Sequence, residues 1–391
     1  MTDSRKFSLG VVLASATMTV MSGSIIAPVL NKMRDGLGVA PSSVGLIITT
    51  HGLFMALFSP LMGIIIDRKG VKRPYIIGLI AYGLSGGAGI LINSYWVLLA
   101  TRAFLGIALA SIFTAIMVWI LNTYEGTERD KIMGWRGSAQ SLGGTIWPFI
   151  GGALGGLSWH LPFAVYMLGI PIGMLAIVAI PETRPRFHQE GQPTDPTISM
   201  FKILKENPVL FIIYGLMFFT NLLLYVVVIF LPQLLESIGI SSTFQIGLFL
   251  TVQALAGGIT AFCYGAVRSR LSYQVIVMIA AAFWSVALAS LSLGTNTPMI
   301  TSSVTMFGIA NGLMMPSAMV WLGSVVPPSF RGRLGSYLGT LGFIGQFLSP
   351  ILFAPVLALL GLKGVFRVGA GIGAAWFLLL LFGTLQNKAK K

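Results

Sequence analysis

The sequence predicts an all-α membrane protein of twelve transmembrane helices, arranged as two six-helix bundles related by a pseudo-twofold axis. Three observations predict it. The 391 residues are 55% hydrophobic and only 9% charged, against roughly a quarter charged in a soluble domain. Apolar stretches close to the ~20 residues that a spanning helix needs recur along nearly the whole chain. A constant offset of 202 positions relates the first half to the second.

The twelve stretches fall at about 9–30, 43–66, 74–92, 95–121, 137–157, 160–180, 208–231, 245–267, 273–293, 298–322, 335–360 and 365–385. The 47 glycines suit them, because small residues let membrane helices approach closely. The first stretch is too long for a signal-peptide core and lacks a small-residue cleavage site, so it is kept as structure. A net charge of +14 would suit nucleic acid in a soluble protein, but its placement points to topology instead. With the N-terminus inside, twenty of the 25 basic residues, Arg136 among them, fall in cytoplasmic segments. Lys32, Arg34, Lys363 and Arg367 fall outside, and Arg102 lies within a helix. This is the positive-inside bias of a multi-pass protein of a prokaryotic cytoplasmic membrane, with both termini in the cytoplasm. The lone cysteine, Cys263, allows no intramolecular disulfide and reads as a small buried hydrophobe.

Between the sixth and seventh stretches runs P-E-T-R-P-R-F-H-Q-E-G-Q-P-T-D-P-T-I-S-M-F-K-I-L-K-E-N, from Pro181 to Asn207. It divides the chain into a bundle over 1–183, a cytoplasmic linker over 184–207 and a bundle over 208–391. A short amphipathic helix is expected around Met200–Leu204. Across that divide Gly45 maps to Gly247, Gly63 to Gly265, Gly106 to Gly308, Arg129 to Arg331, Gly143 to Gly345 and Pro148 to Pro350. A parallel repeat of this kind places a binding site between the halves, near the middle of the membrane.

Three stretches carry motifs. The loop after the second helix reads G-I-I-I-D-R-K-G-V-K-R, Gly63 to Arg73. Gly63 permits close helix approach and Gly70 a turn with positive φ. Asp67 supplies an anion that a helix N-terminus or Arg331 can receive, with Arg68, Lys72 and Arg73 beside it. In the fourth stretch, L-L-A-T-R-A-F-L-G-I-A-L-A sets Arg102 and Gly106 on one helix face. An arginine inside a spanning helix costs about 2.5–3.5 kcal/mol on insertion scales unless it meets a cavity or a partner. Arg102 is therefore equally a transport residue or a packing residue bonded to backbone carbonyls. In the fifth stretch, G-G-T-I-W-P-F-I-G-G-A-L places Gly143, Pro148, Gly151 and Gly152 for close packing and a bend. These stretches resemble three motifs of the major facilitator superfamily: its loop 2–3 signature, its fourth-helix motif and the antiporter motif of its fifth helix. Leu105 stands where the family more often has glutamine, and Trp147 replaces a glycine and is a candidate to project into the path. The second loop copy, G-A-V-R-S-R-L-S at 265–272, has decayed.

The resemblance implies alternating access about a central site, and it looks most like the twelve-helix drug-efflux (drug:proton antiporter) branch. His51 and Arg102 sit at similar depths, roughly 12 Å from the outer end at 1.5 Å per residue. Gln253 is the repeat counterpart of His51. Asn221, Tyr225, Asn311 and Gln346 complete the polar and aromatic candidates for a substrate cavity, and Met18, Met21, Met314 and Met315 are candidates for its apolar wall. All eleven acidic residues lie in loops or at helix ends, so His51 is the titrating group within a helix if protons are the coupling ion. A cavity with a fixed cation and no anion favours an anionic or zwitterionic solute. The expected function is export of an amphiphilic or organic-anion solute, with uptake or exchange of a small organic anion or metabolite as the alternative. A non-transporting membrane receptor is less favoured. An enzyme is not expected: G-L-S-G-G around Ser85 sits in a glycine-rich helix, not at a strand-to-helix turn. No G-x-x-x-x-G-K-S/T occurs to bind ATP. The expected partners are a small-molecule substrate, protons and the lipid bilayer, with no nucleic acid, no metal and no cofactor, and the expected state is a monomer.

Overall fold

A computed structural model describes residues 3–181, 207–326 and 331–389. The described residues are helical with no β-strand, as a chain crossing lipid requires, since the α-helix satisfies its own backbone polar groups. The helices in order are α1 (Asp3–Ser24), α2 (Leu30–Leu37), α3 (Leu46–Lys69), α4 (Lys72–Gly87), α5 (Tyr95–Thr123), α6 (Gly126–Leu157), α7 (Leu161–Ala164) and α8 (Gly169–Ala179). They continue as α9 (Val209–Ser237), α10 (Thr243–Phe262), α11 (Tyr264–Arg268), α12 (Tyr273–Leu293), α13 (Thr297–Val325) and α14 (Arg331–Ala389). Short 3-10 turns join α1 to α2 and α7 to α8, making one rod of each pair, and α11 prolongs α10. Gly361, at φ 67° and ψ −175°, breaks α14 into limbs over 331–360 and 362–389. The described helices thus form twelve rods at the twelve predicted places. The linker and the expected helix around Met200–Leu204 lie outside the described residues, apart from Asn207.

One predicted boundary is corrected. The fifth rod begins at Gly126, not near 137, so Arg136 lies inside α6 rather than ahead of it. Glycine acts as expected at the loop after α3. Gly70 adopts φ 79° and its N–H closes the helix on the Ile66 carbonyl at 2.9 Å. Cys263 is corrected too: it is exposed, at the point where α10 gives way to α11.

The chain forms two compact units, one of Met1–Phe187 with Leu235–Thr251 and the other of His188–Leu234 with Val252–Lys391. In the first unit, one face of α1 collects tyrosine hydroxyls. Tyr75 donates to Ser15 Oγ at 2.6 Å, Tyr82 to the Met18 carbonyl at 2.9 Å and Tyr166 to the Ser22 carbonyl at 2.7 Å. Positions 15, 18 and 22 follow the helical repeat, and each of these three phenols finds an acceptor. In the second unit, Trp284 Nε1 donates to Asn311 Oδ1 at 3.3 Å and Ser349 Oγ to the Leu222 carbonyl at 2.9 Å. Large apolar side chains point outward, Val178 at 84% and Phe262 at 87% exposed. Such a surface suits hydrocarbon and not water.

The repeat reappears as matched contacts. A Cβ on Gly106 would meet the His51 carbonyl, and a Cβ on Gly308 would meet the Gln253 carbonyl. Both pairs are related by the same offset of 202, so each half closes its second rod on its fourth by the same glycine.

Candidate functional site

Arg102 is wholly buried. Its Nη2 donates to the Ser85 carbonyl at 3.2 Å and the Gly86 carbonyl at 3.1 Å. These are carbonyls of the last turn of α4, which have no partner within their own helix. The guanidinium carbon lies 5.1 Å from the ring centres of both Phe163 and Tyr166. Arg102 therefore closes the C-terminal end of α4, where a cation also meets the negative end of the helix dipole. Tight glycines admit this arrangement, for a Cβ on Gly86 would enter the Tyr166 ring and one on Gly89 the Phe163 ring. Ser85 Oγ is bonded to Ala81 of its own helix at 2.6 Å, an ordinary helical back-bond.

His51 is 3% exposed, with Nε2 3.0 Å from Ser22 Oγ. That hydroxyl sits on the face of α1 that receives the tyrosines, and no motif in the sequence marks it. Gln253 is 5% exposed and its Oε1 has no partner among the described residues. Asn221 is buried and donates to the Met217 carbonyl one turn earlier at 3.1 Å. Gln346 is buried and Tyr225 half-buried. Asn311 is tied to Trp284, with its Nδ2 left unbonded. Met18, Met21 and Met314 are core residues at 1% exposure or less and line no open wall.

Trp147 turns back on α1. Its Nε1 donates to the Thr17 carbonyl at 2.9 Å, so the indole braces a helix instead of projecting freely into a path. Around it a Cβ on Gly143 would strike Thr17, and one on Gly151 would strike Ile25. Gly152 faces the backbone at Thr243 and Gly247, while Gly247 in turn faces the Pro148 carbonyl. Thr243 Oγ1 donates to the Gly152 carbonyl at 2.9 Å, and Thr251 Oγ1 to the Thr145 carbonyl at 3.1 Å. At the same end Arg34 makes a two-point bond to Glu236, its counterpart in the repeat, at 3.1 and 3.3 Å.

In the loop after α3, Asp67 and Arg68 are exposed, and Asp67 has no ion-pair partner among the described residues. Lys72 is half-buried and Arg73 exposed. The side chain of Arg331 lies outside the described residues. Gly63 departs from expectation: a Cβ there would meet nothing within 4 Å, so no helix among the described residues closes on it.

Arg136 is the charged residue that its charged neighbours disguise in the sequence. It is 7% exposed, its guanidinium carbon 4.6 Å from the Phe113 ring centre and Nη1 3.9 Å from Met117 Sδ. One turn further along α6, Gln140 Nε2 donates to Thr19 Oγ1 at 3.1 Å. No Asp or Glu is buried among the described residues.

Among the described residues nine helices are long and apolar enough to cross a membrane, and with the duplicated glycine contacts and the buried polar side chains at mid-helix they define a polytopic membrane protein with an internal repeat. The family model of the Major Facilitator Superfamily matches residues 12–244 and 216–391. The chain belongs to that superfamily. It is 24% identical over 364 residues to the bacillibactin exporter of Bacillus subtilis (strain 168), covering 89% of each chain. It is 26% identical over 227 residues to the hexuronate transporter of the same organism, covering 56% of this chain and 53% of that one. A putative multidrug resistance protein, MdtD of Escherichia coli O81 (strain ED1a), is 25% identical over 198 residues. The match spans about half the length of the hexuronate transporter and 41% of MdtD. Among solved structures, a bacterial homolog of the human lysosomal transporter Spinster superposes with TM-score 0.78 at 15% identity, covering 98% and 96% of the two chains. A D-xylose–proton symporter does so with TM-score 0.77 at 15% identity, covering 96% of each. At such identity the likeness is one of fold.

Proposed function

We propose that this chain is a secondary transporter working by alternating access, and that it exports an amphiphilic or organic-anion solute. The halves over 1–183 and 208–391 act as its two moving parts. The observation that carries the substrate class is the charge of the interior. Two guanidiniums, Arg102 and Arg136, are buried among the described residues, and no carboxylate is buried to balance them. Buried cations without protein anions favour an anionic solute. The exporter aligned over 89% of each chain supports the outward direction. The hexuronate transporter, aligned over about half its length, supports the alternative of uptake or exchange of a small organic acid. With no buried carboxylate, His51 on Ser22 is the candidate for proton coupling.

Purified protein in liposomes with an imposed pH gradient tests this reading. Uphill movement of amphiphilic anions that collapses with the gradient is the expected result. Gradient-independent flux would remove the proton, and no flux of any anion from a broad panel would remove the transport reading. Asp67→Asn is expected to slow turnover more than it weakens solute binding, and equal losses of both would count against a gating role for the loop over 63–73.

A further inference from the structure

We propose that Arg136 on α6 is the residue that recognises the anionic group of the solute, which Phe113, Met117 and Gln140 help to seat. The proposal rests on the transporter reading. Its starting point is the difference between two buried arginines of one unit. Arg102 is fully enclosed, with two helix-end carbonyls and two aromatic faces. Arg136 has one ring, one thioether sulfur and no carbonyl acceptor among the described residues; its Nε is buried without a partner, as are Nε and Nη1 of Arg102. No carboxylate among the described residues pairs with it. A guanidinium offers five donors in a planar fork that fits a carboxylate, sulfonate or phosphate at two points. Sulfur is a weak acceptor, and it answers little of that capacity.

The flank of Arg136 is also open. A Cβ on Gly134 or on Gly137 would meet nothing within 4 Å, and Gly137 and Ser138 are exposed. Around Arg102 the neighbouring glycines are instead pressed against side chains and backbone. Ten residues into α6, Arg136 lies about 15 Å from the helix start at 1.5 Å per residue. Gln140, four residues on, shares its face and reaches Thr19 of α1. The surface thus offers one cation, one amide, a ring and a polarisable sulfur. That combination fits a solute with an anionic head on an apolar or aromatic body, and methionine adapts to bodies of different shape.

The test compares wild type with Arg136→Gln, Arg136→Lys and Arg136→Met in phosphatidylcholine vesicles and in neutral detergent. The probes are carboxyfluorescein, 8-anilinonaphthalene-1-sulfonate and benzoate as anions, with rhodamine 123 as the cation. In Arg136→Gln the ratio of anion KM to cation KM should rise at least about tenfold, the loss of a charge-assisted contact. Arg136→Lys should fall between it and wild type. Arg136→Met should melt no lower than wild type without ligand, because it removes a buried charge lacking a counter-ion, and it should lose the thermal shift that an anion gives wild type. A wild-type KM ratio in Arg136→Gln overturns the proposal. So does an anion shift that survives in Arg136→Met, or a shift produced by phosphatidylglycerol and by none of the solutes. Should wild type move no dye yet show an anion shift that Arg136→Gln lacks, the transport reading falls and the anion site stands. Neither flux nor shift overturns both.

Discussion

Neutralising Glu236 should loosen the end of the first unit that lies opposite the loop over 63–73. Arg34 presents Nη1 to Oε2 at 3.1 Å and Nη2 to Oε1 at 3.3 Å, with side chains 20% and 33% exposed. Two unit charges ~4 Å apart attract by ~1 kcal/mol in water and ~4 kcal/mol at an effective dielectric constant of 20. Solvent screening and the entropy of holding two long side chains lower the net figure, while the two-point geometry raises it above that of a single surface contact. About 1–2 kcal/mol remains, so Glu236→Gln should raise the open population about five- to thirtyfold.

Thr243 provides the reporter, being 3% exposed and bonded to the Gly152 carbonyl across the seam of α6 and α10. A Thr243→Cys protein on a Cys263→Ser background is labelled by an impermeant maleimide only when that seam opens. The Cys263 change is required because the native thiol is exposed. Asp35→Asn is the control, since Arg34 Nε meets Asp35 Oδ1 at 2.8 Å within the same helix and its loss leaves the fork to Glu236 intact. The double exchange Arg34→Glu with Glu236→Arg should recover most of the slow labelling. Rates within twofold across wild type, Glu236→Gln and Asp35→Asn would refute the reasoning.

Gly106→Ala and Gly308→Ala should each destabilise by about 1–3 kcal/mol through overpacking against a backbone carbonyl, whereas Gly10→Ala, with nothing within 4 Å, should be silent in thermal unfolding. Arg102→Met should cost about 3 kcal/mol or more by stranding the Ser85 and Gly86 carbonyls; a melting temperature equal to wild type would show that the helix end finds other partners. His160, in the connection before α7, is held below its usual pKa of 6.5 by partial burial. The folded protein then binds its proton less readily than the unfolded chain. Stability is full above pH 6.5 and declines as pH falls through the lower folded value, and His160→Gln should flatten that decline in unfolding curves between about pH 7 and 5.

The parts of this molecule legible in sequence are those fixed by period and by backbone need. The twelve apolar lengths appear as twelve rods among the described residues, because a single segment crossing lipid satisfies its own backbone polar groups only as a helix. Gly70 was legible because a turn with positive φ has few other occupants. The offset of 202 was legible as matched residues, and it returns as matched contacts at Gly106 and Gly308. The start of α6 was not legible, because Glu125, Glu128, Arg129, Asp130 and Lys131 give its first turns the charge density of a loop. A signal was present all the same. Ile132, Arg136, Gln140 and Gly143 follow helical spacing, and Ile132, Arg136 and Gly143 are buried with Gln140 half-buried. Gly63 failed for the opposite reason: its motif named a close approach, and nothing in the sequence tells whether a partner arrives.

The two arginines show what kind of information a transfer cost contains. Putting a guanidinium inside a bundle is unfavourable wherever it happens, so the cost alone marks Arg102 and Arg136 equally. Their neighbours separate them. A helix end leaves carbonyls without partners whether or not a cation is near, so Nη2 of Arg102 and the end of α4 meet each other's need, while Nε and Nη1 of Arg102 stay enclosed without partners. Phe113 and Met117 have no such need, and their contact leaves most of the donor capacity of Arg136 unspent. A cation that is wholly enclosed and tied to a helix end has no open flank to offer a solute. One that is buried, unanswered and open on one flank is in the state that an anion-binding residue must occupy between turnovers.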